Sequence, residues 1–240
     1  MKKIYQKQFS VEELLSESWK SFTENFNAIL QIILIIYVPI NIVLYFVPVG
    51  ESFESMRVYL KITQLLEGLL GILATLAIAF IIKNYIEKKS ITVSEAFKKA
   101  LSKWGVVILT GIIVSIFLFG LTLLLVVPAI IFGVYWSFTT LVVALNDKAY
   151  KAAMDHSKSI VKERWWTAVG YFIILGIIGL FVGAFLGITF VFLPENFIAT
   201  VTADTIVDIV FSFFTVAFVI MFLNFDATKK EVTSTEKIEK

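Results

Sequence analysis

The chain has 240 residues, of which 58% are hydrophobic and only 17% are charged, and its mean hydropathy is +0.87. A soluble domain is typically about 45–50% apolar and about 25% charged, so this composition excludes an ordinary soluble fold and favours a membrane protein. The net charge of +2 indicates no nucleic-acid partner. With no cysteine and a single histidine, thiolate and histidine-rich metal sites are also excluded.

Six apolar runs are each about as long as a membrane-spanning helix, which needs about 20 residues. The runs cover 28–48, 62–82, 105–127, 129–145, 168–191 and 205–225. Only Pro128 separates the third run from the fourth, and it suits the first turn of a returning helix because it lacks a backbone N–H. The sequence therefore predicts an all-α polytopic membrane helix bundle with six transmembrane helices, followed by a polar tail at 226–240. Within 105–145, a hairpin that crosses fully and a re-entrant hairpin both remain open.

Lysine and arginine are distributed very unevenly between the two sides of the predicted bundle. The segments 1–27, 83–104, 146–166 and 226–240 contain all of the 21 basic residues except Arg57 and Lys61. We call the side with these four segments the basic side and the other the far side. Because short cytoplasmic loops carry an excess of lysine and arginine, we expect a multi-pass protein of the cell membrane with both termini in the cytoplasm.

Three of the basic segments contain an amphipathic stretch that leads into an apolar run. The stretches begin near Ser10, Thr92 and Tyr150, and glutamates at 13 and 95 complete the spacing of a capping box in the first two. Such helices lie in the headgroup plane, which predicts interfacial helices here. The recurrence also predicts a threefold internal repeat, with chance similarity between loops as the alternative. Tryptophans at the junctions are the predicted interfacial anchors: Trp19, Trp104, Trp165 and Trp166.

Three acidic residues fall at apolar runs, where charged side chains are costly and often functional. Glu67 lies in the second run, and Asp204 and Asp208 lie one helical turn apart at the start of the last. They are the candidate polar intramembrane residues, and placement at the far-side interface is the alternative. His156 is expected to be a solvated surface residue.

Three glycines in the fifth run are spaced four residues apart, at Gly179, Gly183 and Gly187. Small residues at this spacing let two membrane helices approach closely. We expect them to pack helices within the bundle, with self-association of two chains through the same face as the alternative.

One stretch resembles a known group of membrane proteins. Residues 128–138, PAIIFGVYWSF, are followed by the other residues that carry the resemblance, Ala153, Ser157, Val161, Lys162, Trp165 and Trp166. This pattern is similar to the membrane domain of some glycerophosphodiester phosphodiesterases and to related stand-alone bacterial multi-pass families of mostly unknown function. The resemblance implies a multi-pass fold. It carries over no catalytic residue, because the (β/α)₈ barrel of about 250 residues has no place in this chain.

The sequence shows no grouping of an acid, a base and a nucleophile that is typical of an enzyme. We therefore expect a non-catalytic integral membrane protein, without cofactor or metal, that organises lipids or partner proteins in the cell membrane. Its expected partners are the lipid bilayer and either another membrane protein or a second copy of the chain. The alternative function is a small-solute permease or exporter subunit that uses Glu67 and Asp208.

Overall fold

A computed structural model describes residues 7–48 and 52–238, with side chains described as far as residue 229. These residues form helices joined by short turns, and no strand occurs among them. The helices are α1 (Val11–Glu24), α2 (Phe26–Tyr45), α3 (Phe53–Leu66), α4 (Ile72–Ile86), α5 (Val93–Leu124), α6 (Val126–Trp136), α7 (Thr139–Asn146), α8 (Tyr150–Val161), α9 (Trp165–Phe190) and α10 (Phe197–Ile238). A π-helical turn at Glu67–Gly71 joins α3 to α4, and a 3₁₀ turn at Lys162–Arg164 joins α8 to α9.

Six helical segments of the described chain are long and apolar enough to cross a membrane. They are Phe26–Tyr45, Phe53–Ile86, Val93–Leu124, Val126–Asn146, Tyr150–Phe190 and Phe197–Lys229. Each of the six predicted runs overlaps one of these segments. The predicted fold class, an all-α polytopic membrane bundle, is therefore confirmed.

Helix α4 lies at the centre of the bundle. Almost every residue from Leu73 to Ile82 is buried, and α4 packs against α2, α5, α7 and α10. A helix that is apolar on all sides is stable only when other helices surround it or when lipid does. In contrast, α5 and α9 leave large apolar side chains such as Phe119 and Phe181 exposed. These outer faces are suited to lipid.

Both predicted capping boxes are confirmed. The Ser10 and Thr92 side chains each accept a hydrogen bond from the backbone N–H three residues later. The side chains of Glu13 and Glu95 in turn accept from the backbone N–H of Ser10 and Thr92. The first amphipathic stretch is the separate helix α1. The second continues through Trp104 into the long helix α5, because no proline interrupts it. The interfacial placement of these stretches and the threefold repeat stay predictions.

The hairpin between α5 and α6 turns within a single residue. Leu125 adopts an extended conformation, with φ −158° and ψ 127°, and α6 begins at the next residue. Pro128 lies in the first turn of α6, as predicted. Helix α6 has only 11 residues and is separated from α7 by a turn at Ser137 and Phe138, so this second arm of the hairpin is interrupted.

Candidate functional site

A polar cluster joins the first and last spans of the bundle. The buried Asn41 side chain of α2 donates from Nδ2 to Oδ2 of Asp208 at 2.8 Å and to Oγ1 of Thr205 at 3.3 Å. Thr205 in turn donates to the Val201 carbonyl of its own helix. Asp208 is thus one of the predicted site residues, and the sequence analysis missed Asn41. The sequence signal that could have identified Asn41 is the presence of an asparagine inside an apolar run.

Glu67 lies near this cluster, although on the surface of the bundle rather than inside it. It belongs to the π-helical turn, a local widening that often marks functional positions. The carboxylates of Glu67 and Asp208 both act electrostatically on the Tyr37 hydroxyl, and Glu67 and Asp204 act on Asp208. The structure therefore brings the three predicted acidic residues into one region.

The cavity beside Asp204 is a separate feature. It has a volume of about 410 Å³ and lies between α9 and α10, where Gly183, Gly187 and Glu195 also line it. Glu67 and Asp208 do not line this cavity. It therefore does not link the acidic residues into a path through the bundle.

Two of the three predicted glycines of α9 lie against α10. A Cβ atom on Gly179 would lie 3.6 Å from the Phe214 ring, and one on Gly183 would lie 3.4 Å from the Phe211 ring. A Cβ on Gly187 would meet nothing within 4 Å. Two of the three glycines therefore pack against a neighbouring helix within the bundle, whereas Gly187 opens into the cavity.

A second polar cluster surrounds the basic-side end of α10. His156 Nε2 lies 2.8 Å from Asp226 Oδ1, and their side chains are only 13% and 10% exposed. Asn146 donates to the other Asp226 oxygen at 3.0 Å, and Lys148 Nζ lies 2.7 Å from His156 Nδ1. The expectation of a solvated His156 was wrong. Its partner is 70 residues away in the sequence, so no local pattern revealed the contact.

Asn224, two residues before Asp226, holds the N-terminal segment. Its buried side chain donates to the Lys7 carbonyl at 2.8 Å and accepts from the Phe9 amide at 3.1 Å. The Tyr171 hydroxyl donates to the Phe9 carbonyl, and the Phe9 ring is buried. The segment before α1 is therefore fixed to α9 and α10 through its own backbone.

Two residues in the left-handed region lie at the connection between α7 and α8, one in the loop and one at the first position of α8. Asp147 has φ 55° and Tyr150 has φ 51°, a conformation that costs energy for residues other than glycine. Lys103 forms a salt bridge with Asp147, and its proximity lowers the pKa of that carboxyl below its ordinary value. The Tyr150 amide donates to Thr110 Oγ1 at 3.2 Å. Both contacts tie the loop to α5.

A groove of about 640 Å³ runs between α6 and the start of α9. One wall is apolar and comes from α6, and the other comes from the charged 3₁₀ turn and the paired tryptophans. Its lining comprises Val127, Ile130, Ile131, Tyr135, Lys162, Glu163, Arg164, Trp165, Trp166 and Thr167. We call it the α6–α9 groove. Trp165 Nε1 donates to the Ile131 carbonyl at 3.3 Å and fastens the two walls.

Arg164 is the half-buried charge of this groove, and the exposed Glu163 beside it acts on it electrostatically. Arg164 donates from Nη1 to Thr228 Oγ1 at 2.6 Å and lies 4.9 Å from the centre of the Phe225 ring. Among the described residues, neither Arg164 nor Lys162 forms a salt bridge, and neighbouring Glu163 pairs with neither. A partly buried cation without a counter-ion is costly, so the groove is a candidate anion site. The sequence analysis singled out Trp165 and Trp166 and missed Arg164 beside them.

The other predicted anchors differ in their surroundings. Trp104 donates from Nε1 to the Leu69 carbonyl at 2.6 Å and is therefore tied to the π-helical turn. Trp19 is exposed and contacts the Phe213 ring edge-on.

Known proteins add no assignment to this chain. No protein-family model matches it, and no match was found among curated proteins or solved structures. Within the described residues, no group of three or more histidine, aspartate or glutamate side chains is placed to hold a metal ion. The main polar features of the described residues are the two clusters and the α6–α9 groove.

Proposed function

We propose that this integral membrane protein is a non-catalytic module that binds anionic phospholipid on the cytoplasmic side of the cell membrane. Both termini would then lie in the cytoplasm, in agreement with the distribution of lysine and arginine. The resemblance to the membrane domain of glycerophosphodiester phosphodiesterases belongs to the same proposal, as a multi-pass domain without the catalytic barrel.

The observation that carries this proposal is a half-buried Arg164 that forms no salt bridge among the described residues and lies in a groove with one apolar wall. Lys162 and Arg164 line the charged wall, and Ile130 and Ile131 line the apolar wall. A phospholipid presents both a phosphate and acyl chains, which a charged wall and an apolar wall can contact together. Basic pockets between membrane helices on the cytoplasmic side bind anionic headgroups, and the guanidinium fork matches phosphate geometry.

The test measures phospholipid binding to the full chain in mild detergent by native mass spectrometry. The wild-type chain should retain phosphatidylglycerol in preference to phosphatidylcholine. Arg164→Gln should weaken phosphatidylglycerol binding about tenfold or more, because a hydrogen bond to a charged group contributes roughly 1.5–3 kcal/mol. Lys162→Gln should weaken it less, because the lysine side chain is exposed.

Two variants serve as controls. Lys20→Gln removes an exposed charge outside the groove and should leave binding unchanged. Thr228→Val removes the hydroxyl that Arg164 contacts but keeps the guanidinium, so phosphatidylglycerol should still bind. Equal retention of both lipids by the wild-type chain, or an Arg164→Gln variant that binds like the wild type, would contradict the proposal.

A second candidate function is a small-solute permease or exporter subunit. It is supported by the hydrogen bond between Asn41 and Asp208 and by the placement of Glu67 close enough to act on Asp208 electrostatically. Proteoliposomes that contain the full chain and a pH-sensitive dye would test coupling to protons. Proton uptake that Glu67→Gln and Asp208→Asn both abolish would favour this candidate. Equal uptake by liposomes with and without the chain would count against it.

A further inference from the structure

We infer that the α5–α6 hairpin is re-entrant: its turn at Leu125 stays within the hydrocarbon layer, in contact with lipid acyl chains, and does not emerge on the far side. Helices α5 and α6 remain apolar membrane segments in this arrangement. The inference concerns the path of the chain and is independent of which lipid fills the α6–α9 groove.

The turn at Leu125 lies only a short distance along α6 from a contact with Trp165. The Ile131 carbonyl accepts a hydrogen bond from Trp165 Nε1 at 3.3 Å. Leu125 precedes Ile131 by six residues, which is about 9 Å along a helix. The hydrocarbon layer is about 30 Å thick. A turn this close to Trp165 cannot lie on the far side if Trp165 lies at the basic side.

The surroundings of Trp165 place it at the basic side. It directly follows the charged turn Lys162–Arg164, and Arg164 contacts Thr228 near the basic end of α10. Charged side chains of this kind lie in water or among headgroups. Val127, two residues after the turn, lines the same groove as all three charged residues.

The remainder of α6 also stays beside this charged segment. Lys158 Nζ lies 5.2 Å from the centre of the Phe132 ring and 5.6 Å from that of Tyr135. Ser157 donates to the Tyr135 carbonyl at 2.7 Å. From its first turn to its last, α6 therefore follows residues of the basic side, and none of it leads towards the far side.

The turn itself is apolar and exposed. The five residues from Leu123 to Val127 are all leucine or valine, and each is between 61% and 78% exposed. In water, such a turn would leave a contiguous apolar surface uncovered. The far-side turns, in contrast, contain polar residues such as Ser52 and Glu195. Lipid acyl chains are the occupant that this apolar tip fits.

The backbone of the turn is also suited to a medium without water. Only Leu125 departs from helical geometry, and its N–H donates to the Leu121 carbonyl at 2.8 Å. Pro128 has no N–H to leave unpaired at the start of α6. The unpaired backbone groups at the turn are therefore the end groups that any two successive helices leave, fewer than a longer irregular loop would expose inside a membrane.

Single cysteines test this inference directly, because the chain has none of its own. Val127→Cys and Leu124→Cys replace exposed side chains on either side of the turn, so neither change disturbs buried packing. Lys20→Cys and Glu195→Cys are the controls for the basic side and the far side. A charged, membrane-impermeant maleimide is applied to each side of sealed vesicles that contain the full chain, and nitroxide labels on the same cysteines report collisions with oxygen and with a nickel chelate.

We expect each control to be modified from one side only, and from opposite sides. Val127→Cys and Leu124→Cys should resist the maleimide from both sides and react only after the vesicles are dissolved in denaturing detergent. Their nitroxides should collide more often with oxygen than with the nickel chelate.

Modification of either turn cysteine from the Glu195 side would show a full crossing and overturn the inference. Modification from the Lys20 side would place the turn in water and overturn it as well. Neither result depends on phosphatidylglycerol binding, so failure here is distinguishable from failure of the proposed function.

Discussion

Replacing Asn224 by leucine should release the N-terminal segment from the bundle. Leucine has a similar volume and keeps the helix, but it removes the amide that bonds the Lys7 carbonyl and the Phe9 amide. The Phe9 N–H is then left without this acceptor in a buried position, because the Phe9 side chain around it is almost fully enclosed.

The size of the effect follows from these contacts. Two hydrogen bonds contribute roughly 1 kcal/mol each, and an unsatisfied buried N–H costs roughly 1–3 kcal/mol more. The leucine side chain recovers part of this by burying apolar surface. We therefore expect a loss of about 3 kcal/mol in the free energy that holds the segment closed, or about a hundredfold in its opening equilibrium.

Hydrogen–deuterium exchange in detergent measures this opening directly. The Phe9 amide should exchange about a hundredfold faster in Asn224→Leu, whereas amides in the centre of α4 should be unaffected if opening is local. Tyr171→Phe removes the second contact with Phe9 and should accelerate the same amide to a smaller extent. Asn27→Leu, at an exposed position of α2, is the matched control. Unchanged exchange at Phe9 in Asn224→Leu would refute the reasoning.

Two further predictions concern stability in detergent, measured by thermal unfolding. Gly183→Leu should lower stability by about 1–3 kcal/mol relative to Gly187→Leu, because only the first side chain meets the Phe211 ring; equal effects would contradict the observed packing. Thr92→Ala should cost about 1 kcal/mol through loss of the α5 cap. Thr122→Ala, which removes only a bond to the carbonyl of its own helix, should be nearly neutral, and a cap variant that is equally neutral would argue against the cap.

The fold was predictable because its main determinant is local in the sequence. Six apolar runs of about the right length appear without any knowledge of contacts, and the structure places an apolar helical segment over each of them. The caps at Ser10 and Thr92 were predictable for the same reason, since a capping box is contained within four residues. The long helix α5 was not foreseen. The sequence changes from amphipathic to apolar at Trp104, but the helical backbone continues through this residue.

The polar contacts were less predictable because their partners are distant in the chain. Asp208 was a candidate, but its hydrogen-bond partner Asn41 is 167 residues away. His156 and Asp226 are separated by 70 residues. Arg164 is a candidate because no carboxylate forms a salt bridge with it among the described residues, and no motif indicates it. Such pairs become visible only when the helices are packed.

The spacing of polar residues on α10 bears on the choice between the two candidate functions. Asp208 contacts Asn41 towards one end of the helix, and Asn224 contacts the N-terminal segment towards the other. They are 16 residues apart, or about 24 Å, which approaches the thickness of the hydrocarbon layer. Between them, almost every residue from Val216 to Leu223 is buried and apolar, and Ser212 donates to a carbonyl of its own helix. Polar contacts of α10 on both sides of a packed apolar stretch suit a helix fixed in register with the bilayer. A solute path along α10 would require polar groups in this stretch, so the arrangement favours the lipid-binding module over the permease.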